Sequence, residues 1–166
     1  MAAVNVKLGD IGSHWATACK QAVSDLNLLF KRKGIGVVLA LNGAGPTITV
    51  TTDPRILGTA VHGQTSAETN GAGTLLRAEV RLPVKLTINT PKGMRDAGTG
   101  LAEVIAAHEF VHALGHAPHN SHLMAQTLYK VLGDRAADDK LKAGAVSMPP
   151  LQLSDESVAM LKGIWS

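Results

Sequence analysis

Five of the seven histidines of this 166-residue chain lie between positions 108 and 122. His108 and His112 are four residues apart in a stretch with helical apolar spacing, so both imidazoles are expected on one face of a helix. Two nitrogens placed in this way can occupy adjacent corners of a tetrahedral zinc site. The chain has one cysteine, Cys19, so any zinc site has to rely on histidine rather than on paired thiolates.

The residues around this histidine pair include candidates for a general base and for a third metal ligand. Glu109 follows the first histidine and can lean toward the metal without ligating it, where it can take a proton from water that the metal activates. Gly115 is placed to end the helix in the left-handed conformation and turn the chain back. A catalytic zinc takes three protein ligands. We expect His119 as the third ligand, with His116 as the second choice and His122 as the third.

Residues 108–115 read His-Glu-Phe-Val-His-Ala-Leu-Gly, which resembles the metzincin clan of zinc peptidases and especially its matrixin branch. The third histidine of matrixins stands three residues after the glycine; here Pro118 holds that position and His119 comes next. Residues 121–124, Ser-His-Leu-Met, resemble the methionine turn that matrixins place beneath the metal. The resemblance therefore implies a structural role for Met124, with Met148 as the alternative methionine.

Hydrophobic periodicity along the whole chain predicts an α+β protein. The predicted order is strand, helix, four strands, helix, loop, helix, with helices at 13–34 and about 100–114 and a last helix capped by Ser154. Residues 53–74 are rich in Gly, Thr and Ser and are predicted as a long surface loop. The predicted strands cover 4–8, 35–41, 47–52, 78–82 and 84–89, and a short helix is expected near 136–142.

The resemblance implies more about the fold and the activity than this periodicity does. It implies a zincin-like fold: a mixed five-stranded sheet with a long helix, a zinc-motif helix and a C-terminal helix around an active-site cleft. The chain would then be a single metallopeptidase catalytic domain spanning 1–166, with an upper lobe of about 1–114 and a lower lobe of about 115–166. The implied activity is endopeptidase hydrolysis with Zn²⁺ as cofactor and Glu109 as general base.

The resemblance also implies where a protein or peptide substrate would bind. In metzincins an extended peptide pairs antiparallel with the edge strand above the zinc. Pro83 donates no backbone hydrogen bond, so a strand beside it is expected at a sheet edge. The candidate substrate-binding strand is therefore the run that contains Ala78, Glu79, Val80, Arg81 and Leu82.

Charge and composition indicate which other classes of partner are not expected. The formal net charge is +3 and Lys and Arg are scattered, so no nucleic acid is expected. No apolar run approaches the roughly 20 residues that a membrane span requires, so no membrane is expected either. The chain as given shows no signal peptide, which predicts a cytoplasmic protein unless it is a trimmed, secreted mature domain. We expect a monomer.

Three alternatives remain open on the sequence. Metzincin-like single-domain endoribonucleases share His-x-x-x-His-x-x-Gly-x-x-His but usually lack the glutamate that Glu109 supplies here. A zinc peptidase of the glutamate-ligand type would use Glu156 in place of His119. A non-catalytic module would keep the metal for stability or recognition only.

Overall fold

A computed structural model of the chain describes residues 1–56, 63–90, 93–126 and 150–166. The predicted helix at 136–142 and the alternative methionine Met148 lie outside these residues. In chain order the described elements are β1 (Ala2–Leu8), α1 (Gly12–Lys33), β2 (Val37–Leu41), β3 (Thr47–Thr52), β4 (Gln64–Thr69), β5 (Leu75–Leu82), β6 (Thr87–Thr90), β7 (Gly93–Asp96), α2 (Thr99–Ala113) and α3 (Asp155–Ile164).

The main sheet is mixed and has five strands in the order β2-β1-β3-β5-β4. The strands β2, β1, β3 and β5 run parallel, and β4 is antiparallel to β5. The strands β6 and β7 form a separate two-stranded antiparallel sheet. The expected α+β class with a mixed five-stranded sheet, a long helix, a motif helix and a last helix is therefore confirmed.

The alternation of side chains along the strands explains why one face of the sheet is covered. Val4 and Val6 of β1 and Ile48 and Val50 of β3 are fully buried, and the polar residues between them point to the opposite face. The helices α1 and α2 supply the other half of this core. The long apolar side of α1 consists of Trp15, Ala18, Cys19, Ala22, Val23, Leu26, Leu29 and Phe30.

The predicted edge strand is wrong in one respect. Ala78, Glu79, Val80, Arg81 and Leu82 do form part of a strand, but β5 lies between β3 and β4 and so is not at an edge. Every one of these five residues faces a β4 or β3 partner, or both, in the ladders.

The edge strands of the sheet are β2 and β4, and β4 lies within the segment 53–74 that the sequence predicts as a loop. Its sequence, Gln-Thr-Ser-Ala-Glu-Thr, is exposed along most of its length and has no alternating apolar residues. The pairing with β5 stabilises it as a strand despite this composition. Pro83 follows the end of β5, and its carbonyl accepts a hydrogen bond of 2.8 Å from Trp15 Nε1 on α1.

The last helix and the residue that follows it dock on the segment between α1 and β2 and on the end of α2. Ser154 caps α3 as predicted, since its side chain accepts a hydrogen bond from the Ser157 amide. Trp165 donates from Nε1 to the Leu114 carbonyl at 2.8 Å, and its own carbonyl accepts from the Gly36 amide at 3.0 Å. None of the helices in the described ranges has both the length and the apolar character that crossing a membrane requires.

Candidate metal centre

The end of α2 turns the chain back toward its own histidines. The Gly115 amide donates to the His112 carbonyl at 2.9 Å and the His116 amide to the Val111 carbonyl at 3.3 Å, which is the Schellman pattern of helix termination. Gly115 has a φ of +105°, in the left-handed region that favours glycine. The expectation that Gly115 ends this helix is confirmed.

Three of the clustered histidines meet beside this turn. His112 Nε2 lies 3.0 Å from His108 Nε2 and 3.1 Å from His119 Nε2. One nitrogen from each ring lies within 4.8 Å of the other two, so the three side chains can hold a metal ion together. The structure thus brings His119, the first choice for the third position, next to the pair on α2.

Backbone carbonyls fix the orientation of the two helical imidazoles. His108 Nδ1 lies 2.6 Å from the Leu123 carbonyl oxygen, and His112 Nδ1 lies 2.6 Å from the His116 carbonyl oxygen. A carbonyl only accepts hydrogen bonds, so each Nδ1 carries the proton and donates it. With Nδ1 engaged in this way, the Nε2 atoms of His108 and His112 face each other at 3.0 Å and can both direct a lone pair at a shared cation. The residues present therefore fit a metal ion.

Burial favours the neutral, metal-binding form of two of the three rings, His108 and His119. Burial lowers the pKa of His108 to about 4, against a smaller opposing effect of its hydrogen bond to Leu123. Burial also lowers the pKa of His119, and repulsion between its protonated ring and that of His112 acts in the same direction. At neutral pH the rings of His108 and His119 therefore bind a proton weakly, which leaves their nitrogens available to a metal ion.

Glu109 lies beside the triad with its carboxylate held by the sheet edge. Its side chain is buried, and Thr65 of β4 donates from Oγ1 to Glu109 Oε2 at 2.5 Å. A Cβ at Gly63 would lie 2.9 Å from Glu109 Cγ, so a larger residue there would push the Glu109 side chain out of this position. Burial raises the pKa of Glu109, while the Thr65 hydrogen bond and the charge of His112 act in the opposite direction.

The side chains of the other candidate ligands do not join the triad. His116 is fully buried, with Nε2 2.8 Å from Ser157 Oγ of α3. His122 is exposed and forms a backbone bridge to Leu153. Glu156 is exposed in the first turn of α3. Within the described part of the chain, none of these three belongs to the group that can share a metal ion.

Met124 lies in a tight turn close to the first histidine. The Asn120 amide donates to the Met124 carbonyl at 2.8 Å, and the Met124 amide donates to the Ser121 carbonyl at 3.2 Å. Met124 is fully buried, and Leu123, which precedes it, supplies the carbonyl that orients His108. Its role as a methionine turn stays a prediction.

Sequence reasoning missed two groups of supporting residues. Thr65 and Gly63 were assigned to a polar loop, and nothing in that local sequence indicates a strand next to Glu109. Ser157 had a usable signal, since it lies four residues before the buried Leu161 and so shares the inward face of α3.

Comparison with known proteins gave no family model that matches the chain, and no curated protein matches it either. The candidate metal centre therefore rests on the residues and distances within the chain.

Proposed function

We propose that the protein is a zinc-dependent endopeptidase of the metzincin, matrixin-like type. In this proposal His108, His112 and His119 hold Zn²⁺, and Glu109 is the general base. The observation that carries it is the convergence of three imidazole Nε2 atoms beside a buried carboxylate that is not one of the candidate ligands. A glutamate in that place suits hydrolysis better than a purely structural metal site.

The ligand set supports zinc as the metal. Imidazole nitrogens also bind copper, nickel and iron, so the three histidines alone do not choose among these metals. Three protein ligands with one open position are the usual arrangement of a hydrolytic zinc site. The carbonyls of Leu123 and His116 orient two of the rings, as the outer contacts of zinc-bound histidines commonly do.

The chemistry divides between the metal and the chain. When bound, Zn²⁺ supplies a Lewis acid that polarises the scissile carbonyl and makes water acidic. Glu109 then accepts the proton from the attacking water through its carboxylate and delivers it to the leaving amine. Thr65 holds Glu109 Oε2 in place, so that the carboxylate does not have to reorganise between these two transfers.

The sheet edge supports a peptide substrate, with β4 in place of β5 as the binding strand. β4 is the last strand of the described sheet and pairs with β5 on one side. An extended peptide could add to its other side through main-chain hydrogen bonds. Because Thr65 belongs to β4 and contacts Glu109, a peptide paired there would run close to the general base.

Hydrolysis by a Glu109→Gln variant tests this function. Zinc-loaded wild-type protein should cleave casein at internal peptide bonds, whereas Glu109→Gln should lose at least about 100-fold in rate because proton transfer is lost. The variant should keep its zinc, since Glu109 is not a ligand. Product masses and metal content measure the two effects.

Glu156→Gln is the matched control, because Glu156 is an exposed glutamate outside the triad. It should keep both zinc and activity, and loss of zinc there would favour the glutamate-ligand alternative. Full hydrolysis by Glu109→Gln, or cleavage of structured RNA in place of casein by the wild-type protein, would refute the peptidase proposal.

A further inference from the structure

A single buried hydroxyl joins the loop after α2 to the first turn of α3. His116 Nε2 lies 2.8 Å from Ser157 Oγ, and Asn120 Nδ2 donates to the same oxygen at 2.8 Å. Ser157 and His116 are both fully buried. Ser154 Oγ, from the helix cap, lies 3.0 Å from Ser157 Oγ. These contacts involve only residues of this chain, and none of these residues takes part in the proposed chemistry.

The two loop residues that it holds lie on either side of the third candidate ligand. Asn120 directly follows His119, and His116 precedes it by three residues. The segment between these anchors, which contains Ala117, Pro118 and His119, is exposed. The backbone that carries His119 is therefore anchored at both ends of a short loop.

The same contacts reach a second candidate ligand through the backbone. The His116 carbonyl accepts the hydrogen bond from His112 Nδ1 at 2.6 Å, and this bond fixes the orientation of the His112 ring. With its side chain held by Ser157, His116 has little freedom to move that carbonyl. One hydroxyl on α3 thus constrains both His112 and His119.

Removing this hydroxyl would leave buried polar groups without partners. A serine hydroxyl donates one hydrogen bond and accepts two, which matches its three contacts with His116, Asn120 and Ser154. A buried donor or acceptor that loses its partner carries a desolvation penalty, so the loop would shift to find water. Such a shift would move the ring of His119.

We propose that Ser157 is a positioning residue for the metal centre and acts through His116 and Asn120. The fourth clustered histidine is then an anchor of the ligand loop and does not itself bind metal. This inference rests on the metal centre of the proposed function but not on peptidase activity. It assigns to α3 the task of holding the ligands in a geometry that suits a metal ion before the ion binds.

Zinc affinity of the Ser157→Ala variant tests the inference. The dissociation constant for zinc, measured by competition with a chromogenic chelator, should rise by about 10- to 100-fold, the usual effect of removing an outer contact. Asn120→Ala, which removes one anchor from a half-buried site, should raise it in the same direction and serves if Ser157→Ala folds poorly. The visible spectrum of the cobalt-loaded proteins reports the ligand geometry independently.

Val158→Ala is the matched control for a general weakening of α3. Val158 is a partly buried residue of this helix that packs against the core, so its truncation should lower thermal stability while Ser157 Oγ keeps its bonds to both loop residues. Its zinc dissociation constant should stay within about threefold of the wild-type value. An equal loss of affinity in Val158→Ala and Ser157→Ala would overturn the inference.

A double-mutant cycle with His116→Phe, which keeps a ring but no nitrogen, gives the second criterion. Residues that act through one contact are not additive, so the double variant should bind zinc about as weakly as Ser157→Ala alone. Additive effects, or wild-type affinity in Ser157→Ala, would refute the inference and leave the metal centre standing. Absence of zinc binding by the wild-type protein would refute both.

Discussion

Thr65 connects the candidate general base to the sheet through its side-chain hydroxyl. Its hydroxyl donates to Glu109 Oε2 at 2.5 Å and lies 3.3 Å from the Glu109 carbonyl oxygen. Gly63, two residues earlier, lies so close to the Glu109 side chain that it leaves no space for a Cβ. Together these residues restrict where the carboxylate can go.

Replacement of Thr65 by Val should slow catalysis without affecting metal binding. Valine keeps the shape of threonine but donates no hydrogen bond, so Glu109 gains freedom and kcat should fall by about 10-fold or more, as expected for a lost bond to a charged group. KM and zinc content should stay at wild-type values. Steady-state kinetics on a fluorogenic peptide, with metal analysis of the same samples, measures this.

Thr65→Ser is the control, because serine keeps the hydroxyl and should recover most of the lost kcat. Equal activity of Thr65→Val and wild type would show that the contact does not matter for the proposed reaction.

The sequence predicted those helices and strands whose formation depends on residues close together in the chain. The helical spacing around His108 and His112 and the glycine that ends the helix both act within one or two turns, so α2 and its termination were predictable. The edge position of β4 was not, because its residues lack apolar alternation and only pairing with β5 makes them a strand. The sequence ranked His119 first among the candidate third ligands, but its meeting with His108 and His112 depends on the path of a loop that contacts α3, which no local pattern encodes.

The packing of α1 against α2 buries an acid. Glu103 of α2 is 7% exposed, and burial raises its pKa to about 8, with a hydrogen bond and repulsion from Asp25 of α1 as smaller causes. Below its pKa the side chain is neutral, so the fold tolerates it. In the unfolded chain its pKa returns to its ordinary value near 4.5.

This pKa shift predicts a pH dependence of stability. Between about pH 4.5 and pH 8 the folded state binds a proton that the unfolded state does not, so this group makes stability fall as the pH rises through that window. Glu103→Gln removes the charge and should therefore be more stable than wild type at pH 8 and similar to it near pH 4.5. Thermal unfolding of the zinc-free proteins at both values measures the difference.

Glu68→Gln is the control for this comparison, since Glu68 is exposed on β4 and should give no comparable gain at pH 8. If Glu103→Gln gave no gain in stability at pH 8 either, burial of Glu103 would not cause the predicted fall in stability with rising pH.

In the whole molecule, the candidate centre draws on several separate parts of the chain. α2 supplies His108 and His112, the following loop supplies His119, β4 holds Glu109 through Thr65, and α3 holds the loop through Ser157. One continuous core contains residues from the sheet, from all three described helices or their flanks, and from the turn at Leu123 and Met124. A short motif identifies the histidines that could bind metal, whereas the contacts that hold them and Glu109 in place come from several separate elements of the fold.

Metal content after reconstitution measures the central proposal most directly. Wild-type protein equilibrated with zinc and dialysed against metal-free buffer should retain about one zinc ion per chain, as expected for a three-histidine site. His112→Ala should lose it, because His112 contacts both other rings. A wild-type protein that retains no stoichiometric zinc, or a His112→Ala variant that binds zinc as tightly as wild type, would contradict the proposed metal centre.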